Sequence, residues 1–147
     1  MEVDEYLRYL QDLSRELGIS QRVHFVAAMD QGHLMYYFNA ADVCVVPSLY
    51  ESFGLVALEA IACGTPVIAR KVGGLQSLVK HGMTGYLVPW HCPEPLANQL
   101  EVILENNLLR EKMGCQAESW AKTWTWESTV EQLNNVYKEL TSYSVHR

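Results

Sequence analysis

Positive charge is scarce in this chain. Its 147 residues carry 11 Lys and Arg against 17 Asp and Glu, a net charge of −6. So acidic a balance argues against broad binding to nucleic acid or to an anionic membrane. A small anionic ligand stays compatible with it, because a helix N-terminus supplies positive potential locally. Long apolar runs are missing too, and no segment approaches the roughly 20 residues of a membrane span. The opening Met1-Glu2-Val3-Asp4-Glu5 is acidic where a secretory signal would be basic and then apolar. Metal-ligand pairs are also lacking: Cys44, Cys63, Cys92 and Cys115 form no CxxC and no zinc-like spacing. Cys44 and Cys63 sit in apolar runs and read as small buried hydrophobes, with reduced thiols pointing to the cytoplasm. There is no internal repeat, low-complexity tract or linker. No Gly-x-Gly-x-x-Gly follows a strand-like run, which sets aside a dinucleotide-dependent oxidoreductase.

What is present is ordinary globular material, 49% hydrophobic and 19% charged, enough for one domain. Tyr6, Leu7, Leu10, Leu13 and Leu17 share a helical face that Gly18 terminates. Arg22–Val26 reads as a short strand, and Asp30 as the cap of a helix over about His33 to Ala40. Val43–Pro47 has the composition of a strand buried on both faces. A loop and a helix from about Gly54 to Cys63 follow, then the strand Val67–Ala69. Gly73-Gly74 opens a short helix, and His81–Gly85 turns the chain into the strand Tyr86–Val88. Three helical stretches close the chain, around Leu96–Leu104, Leu108–Lys122 and Trp126–Leu140, the last capped by Thr125.

Such alternation predicts an α/β domain with a parallel sheet, a doubly wound Rossmann-like body over about 1–122 and a terminal helix over about 125–140. Doubly wound sheets usually begin with a central strand. This chain begins with a helix and offers about four strands, so the body is expected to be incomplete, with an unpaired sheet edge.

Asp42 to Ala69 carries the chemistry. It reads as a buried strand, a loop bearing Glu51, and a helix start at Gly54. Free amide hydrogens at that helix start would lie beside the carboxylate, and Gly54 lets a ligand approach the backbone. The loop leaves the carboxyl end of a parallel strand, where open α/β sheets bind ligands. A diphosphate seat with a neighbouring acid is the result. Glu59, eight residues beyond Glu51, can accept from a vicinal diol such as that of ribose. On a largely buried helix it needs a ligand or a paired group.

Pro47-Ser48, Glu51-Ser-Phe-Gly-Leu55, Glu59-Ala60 and Ala62–Ala69 together resemble the E-x7-E signature of family-four retaining glycosyltransferases, enzymes of the two-Rossmann-domain GT-B type. The resemblance continues through Val72-Gly-Gly74, Gly82–Pro89 and Thr125-Trp126, covering nearly the whole chain. It implies the C-terminal, donor-binding half of such an enzyme, truncated at its N-terminal side. It further implies that Glu51 meets the donor sugar's hydroxyls and favours charge developing at the anomeric carbon. Amides of Phe53, Gly54, Leu55 and Val56 would hold the diphosphate, Glu59 the ribose, and Val26 with Ala27 would line the base pocket. Gly73 and Gly74 would line the donor cleft. No metal or other cofactor is implied; the partners are a nucleotide sugar, an unspecified acceptor and an N-terminal domain. The family's diphosphate-clamping Arg and Lys belong to a preceding strand and helix not found here. Its usual Pro-Glu after the glycine pair is Gln76-Ser77, and an acid before the next helix is Cys92. A non-catalytic nucleotide-binding or interaction module is the alternative. Trp120, Trp124 and Trp126 are expected to pack the terminal helices onto the core. No catalytic role falls to His24, His33, His81, His91 or His146.

Overall fold

The computed structural model describes residues 3–89 and 93–143, and divides the chain into two compact units, Met1–Asp30 and Gln31–Arg147. Cys92, His91 and His146 lie outside the described residues. In the first unit, α1 spans Val3–Glu16 and a 3-10 turn spans Ser20–Arg22. Gly18 ends α1 at φ +69, and Ile19 N–H returns to the Ser14 carbonyl at 3.0 Å. That positive φ costs glycine little and any other residue more. The expected strand at Arg22–Val26 does not form. Residues 23–30 have irregular backbone, and Phe25 and Val26 remain exposed. A β-branched, aromatic run has strand propensity, but a strand also needs a hydrogen-bonded neighbour, and among the described residues no strand pairs with this run.

The second unit is layered α/β. Its elements are α2 (Gln31–Ala40), β1 (Cys44–Val46), α3 (Leu55–Ala62), β2 (Val67–Arg70), α4 (Leu75–Leu78), β3 (Gly85–Val88), α5 (Glu94–Glu105), α6 (Asn107–Ala121) and α7 (Trp126–Tyr143). The described strands number three rather than four and form one parallel sheet in the order β1-β2-β3. Cys44 pairs with Val67, and Val67 with Gly85. The sheet thus has the predicted parallel character, with β1 on one edge.

Alternation along β2 divides the core. Val67 and Ala69 pack with Ala57, Ala60 and Ile61 of α3, Leu75 and Leu78 of α4, and Ala117 of α6. Ile68 points the other way, toward Val88, Ile103 and Met113. Only the central strand is sealed on both faces, and its Val-Ile-Ala run shows why it reads as continuously apolar. The matching expectation for β1 is corrected: Cys44 and Val45 are half-buried and only Val46 is buried, as suits an edge strand. Arg110 fastens the α5–α6 corner to the start of β1. Its Nε meets Asp42 Oδ1 at 3.0 Å, and its Nη1 donates to the Ile103 and Leu104 carbonyls at 3.1 and 3.2 Å. The N-cap of α6 is Asn106, whose side chain accepts from Leu109 N. Thr125 caps α7 as expected, its Oγ1 accepting from Ser128 N at 3.1 Å.

Burial pushes the Cys44 thiol up from 9.0 to about 11. Unfolding releases a thiol that ionises more easily. The stability it contributes is therefore whole below pH 9 and declines as pH rises toward 11. We expect Cys44→Ala to remove a decline on the order of 2 kcal/mol over that interval, in urea titrations matched for pH. Iodoacetamide at pH 8 should alkylate the exposed Cys115 well before Cys44.

Candidate functional site

The loop from β1 to α3 and the loop from β2 to α4 both leave carboxyl ends of adjacent parallel strands, and there they meet. Gly74 N–H donates to the Glu51 carbonyl at 3.0 Å. A Cβ on Gly73 would stand 1.8 Å from that same carbonyl oxygen, and one on Gly74 would stand 2.3 Å from the Phe53 carbonyl oxygen. The glycine pair is thus a backbone-on-backbone support for the Glu51–Phe53 segment. Its membership of the site is structural at the least, a function that turn propensity alone does not reveal.

Gly54 starts α3 in the left-handed region, at φ +99 and ψ +44. It is buried, and a Cβ there would meet Leu75 Cδ2 at 2.8 Å. The first intrahelical bond runs from Leu58 N–H to the Gly54 carbonyl. Amides of Leu55, Val56 and Ala57 therefore have no acceptor within the helix, and a glycine N-cap offers no side chain for them. Leu55 and Val56 are exposed at this helix start. The Gly54 amide itself donates to Glu51 Oε1 at 3.2 Å. The half-buried Glu51 carboxylate thus sits at the helix's positive end, where the macrodipole favours negative charge.

Glu59 is on the same helix and half-buried, and Gln31 Nε2, at the start of α2, donates to its Oε1 at 3.1 Å. The expected paired group is therefore present, and sequence reasoning missed its identity. Gln31 is 28 residues away, and no periodicity links it to Glu59. Met35, Phe38, Ala62 and Cys63 share a cavity with these two side chains. Burial, and then the Glu59 charge, raise the Cys63 thiol, with the Asn39 side chain opposing. Val26 and Ala27 lie in the unit of residues 1–30, on irregular exposed backbone.

A second feature unseen in the sequence lies behind Phe53. Its ring meets Trp124 edge-on at 5.9 Å, and Trp124 meets Trp120 at 6.0 Å. Trp120 Nε1 donates to the Leu78 carbonyl at 2.8 Å, and Lys80 Nζ lies 4.4 Å from the centre of the Trp120 ring. Trp120 and Trp124 pack as expected, but Trp126 does not: it is 84% exposed at the start of α7. It lies on the apolar face of α7 with Val130, Leu133, Tyr137 and Leu140, and that face is exposed along its length. Among the histidines, His81 Nδ1 accepts from Leu87 N at 3.1 Å and holds the turn before β3. Among the described residues, no three His, Cys, Asp or Glu side chains gather as metal ligands. No described helix is long and apolar enough to cross a membrane.

A parallel sheet whose strands alternate with helices, with a glycine-started helix leaving its carboxyl edge, is a Rossmann-like α/β domain. Residues 3–120 match the family model described as glycosyl transferases group 1, and the chain belongs to that family. D-inositol 3-phosphate glycosyltransferase of Corynebacterium jeikeium (strain K411) is 46% identical over 134 residues, 91% of this chain and 32% of that protein. Sucrose-phosphate synthase from Thermosynechococcus elongatus superposes with a TM-score of 0.81 at 42% identity, over 92% of this chain and 34% of that one. Anabaena HepE, solved in complex with UDP, gives 0.79 at 30% identity, over 95% of this chain and 37% of that one. The architecture is that of the C-terminal Rossmann-like half of a GT-B glycosyltransferase. The chain spans roughly three-tenths of the length of the curated relatives it matches.

Gly73 and Gly82 both hold positive φ, at +43 and +77, but a Cβ on Gly82 would meet nothing within 4 Å. Gly82→Ala is therefore expected to cost about 1 kcal/mol, from backbone strain alone. Gly73→Ala should cost at least about 2 kcal/mol more by forcing the Glu51 carbonyl aside. Equal urea midpoints for the two variants would refute the contact.

Proposed function

We propose that this chain carries the donor site of a retaining glycosyltransferase, one that moves a hexosyl group from a nucleoside diphosphate to an acceptor with its anomeric configuration kept. The carrying observation is the start of α3, where amides without helical acceptors adjoin Glu51 and precede Glu59 by little more than one turn of the same helix. The relatives' names support the sugar-transfer reading, and the UDP and UDP-glucose complexes of Anabaena HepE support a nucleotide sugar as ligand.

In this reading the amides of Phe53, Gly54, Leu55 and Val56 receive the diphosphate. Negative charge builds on the leaving phosphate as the glycosidic bond breaks, and helix-end amides stabilise it without reorganising. Glu51 is the catalytic carboxylate, accepting from sugar hydroxyls and favouring positive charge at the anomeric carbon. For Gly54 N–H to serve the diphosphate, the Glu51 carboxylate must release it, so arrival of the phosphate frees that acid for the sugar. Glu59 accepts from the ribose, and Gly73 and Gly74 hold the loop beneath the donor. The reaction uses no metal; amides and protein cations neutralise the leaving group. The acceptor would be held by an N-terminal domain, and the enzyme would act in the cytoplasm.

The second reading is a non-catalytic nucleotide-binding or interaction module. The 147-residue polypeptide is expected to show no transfer of radiolabelled sugar above a Glu51→Ala control. Binding is the direct test of the site. Calorimetric titration with UDP-, GDP- and ADP-glucose should show one of them binding. Glu59→Ala should weaken it by about ten-fold to a hundred-fold, the loss of charged hydrogen bonds worth about 1.5–3 kcal/mol. Glu51→Ala should weaken the nucleotide sugar more than the free nucleoside diphosphate. Unchanged affinity in both variants would overturn the assignment.

A further inference from the structure

The bond between Gln31 and Glu59 contributes little to the fold, because it lies at the surface and joins two flexible side chains. Its chemistry is more informative than its strength. The ionised carboxylate can only accept, whereas a primary amide supplies two N–H donors and a carbonyl acceptor. One amide hydrogen is used on Glu59 Oε1; the other, and the amide oxygen, are left over at the mouth of a cavity with Met35, Phe38, Ala62 and Cys63. A vicinal diol needs both kinds of partner. Its hydroxyl hydrogens suit the carboxylate, and its oxygens still require a donor. The cavity's apolar side chains suit the carbon face of a sugar ring.

We propose that Gln31 is a specificity-determining residue of the nucleoside subsite, donating to one ribose hydroxyl while Glu59 accepts from the pair, so that ribonucleotides are preferred over deoxyribonucleotides. This rests on Glu59 meeting the ribose, as in the function proposed above. Gln31 opens α2, so its backbone is fixed by that helix and its reach to α3 is reproducible. Substituting glutamate there would place two carboxylates together and repel the diol's acceptor oxygens at once.

The test is a binding cycle on the whole 147-residue chain, with UDP, GDP and ADP and the 2′-deoxy and 3′-deoxy forms of whichever binds. Gln31→Ala should weaken the ribonucleotide about three-fold to ten-fold, the range for one neutral hydrogen bond. It should leave unchanged the affinity for the deoxy form that lacks its partner hydroxyl, while Gln31→Glu weakens the ribonucleotide further. Non-additivity between removing the amide and removing the hydroxyl is the signature of a direct contact. Should Gln31→Ala weaken the ribo and both deoxy forms by one common factor, or none of them, the inference is overturned while the role of Glu59 stands. If Glu59→Ala leaves ribonucleotide affinity intact, the ribose assignment itself fails and this inference with it. Absence of binding by all three nucleotides overturns both.

Discussion

Backbone meets backbone where the β2–α4 loop crosses the β1–α3 loop, and only glycine permits the distance. The Gly74 amide bonds the Glu51 carbonyl, and Gly73 leaves no room for a side chain above that same oxygen. Two segments that would otherwise be independent surface loops become one unit anchored to the carboxyl ends of β1 and β2. That arrangement fixes where Glu51 points and where α3 begins. Gly54 extends the constraint inward, buried against Leu75 and Leu78 at the start and end of α4. The sheet's central strand then transmits it to the core, since Val67 and Ala69 pack on both α3 and α4. A site built this way is held by packing and main-chain bonds and does not depend on its charged side chains for its shape.

The architecture was legible in the sequence wherever local signals and burial agreed. Val67-Ile-Ala reads as a covered strand because β2 has helices on both faces. Gly18 and Thr125 mark helix ends because a positive φ and a hydroxyl cap are local requirements. The errors share a cause. Arg22–Val26 has strand composition but no strand neighbour, and β1 has apolar composition but an edge position. Pairing and edge status are properties of the sheet, which a residue window cannot report. Trp126 belongs with these, since its helix has an apolar face in the sequence that stays uncovered in the fold.

The site divides along the same line. Glu51, Gly54 and Glu59 could be singled out because one loop and one helix carry them, and their spacing survives in the primary sequence. The glycine pair could be seen only as a turn, because its partner carbonyls belong to a loop that precedes it by a whole helix and strand. Gln31 leaves no mark in the sequence, and Trp124 is marked only as a core-packing aromatic, not as the partner of Phe53. One reaches Glu59 from another helix, the other reaches Phe53 from the junction of α6 and α7, and each contact is specified only by the fold.

Charge explains why Glu51 can rest on the Gly54 amide in the first place. An acidic chain presents a helix start whose amides are short of acceptors, and without an anion the nearest carboxylate fills the role. That interim occupant is three residues away, so it costs little chain entropy to bring in and forms a bond with no more than modest net strength. A diphosphate brings more charge and several acceptor oxygens to the same amides. Under the proposed function, exchange of one anion for the other would release the carboxylate beside the phosphate. In that same reading, Glu51 would occupy the Gly54 amide between donors and become available for a sugar when one arrives, with the loop backbone beneath it held by Gly73 and Gly74.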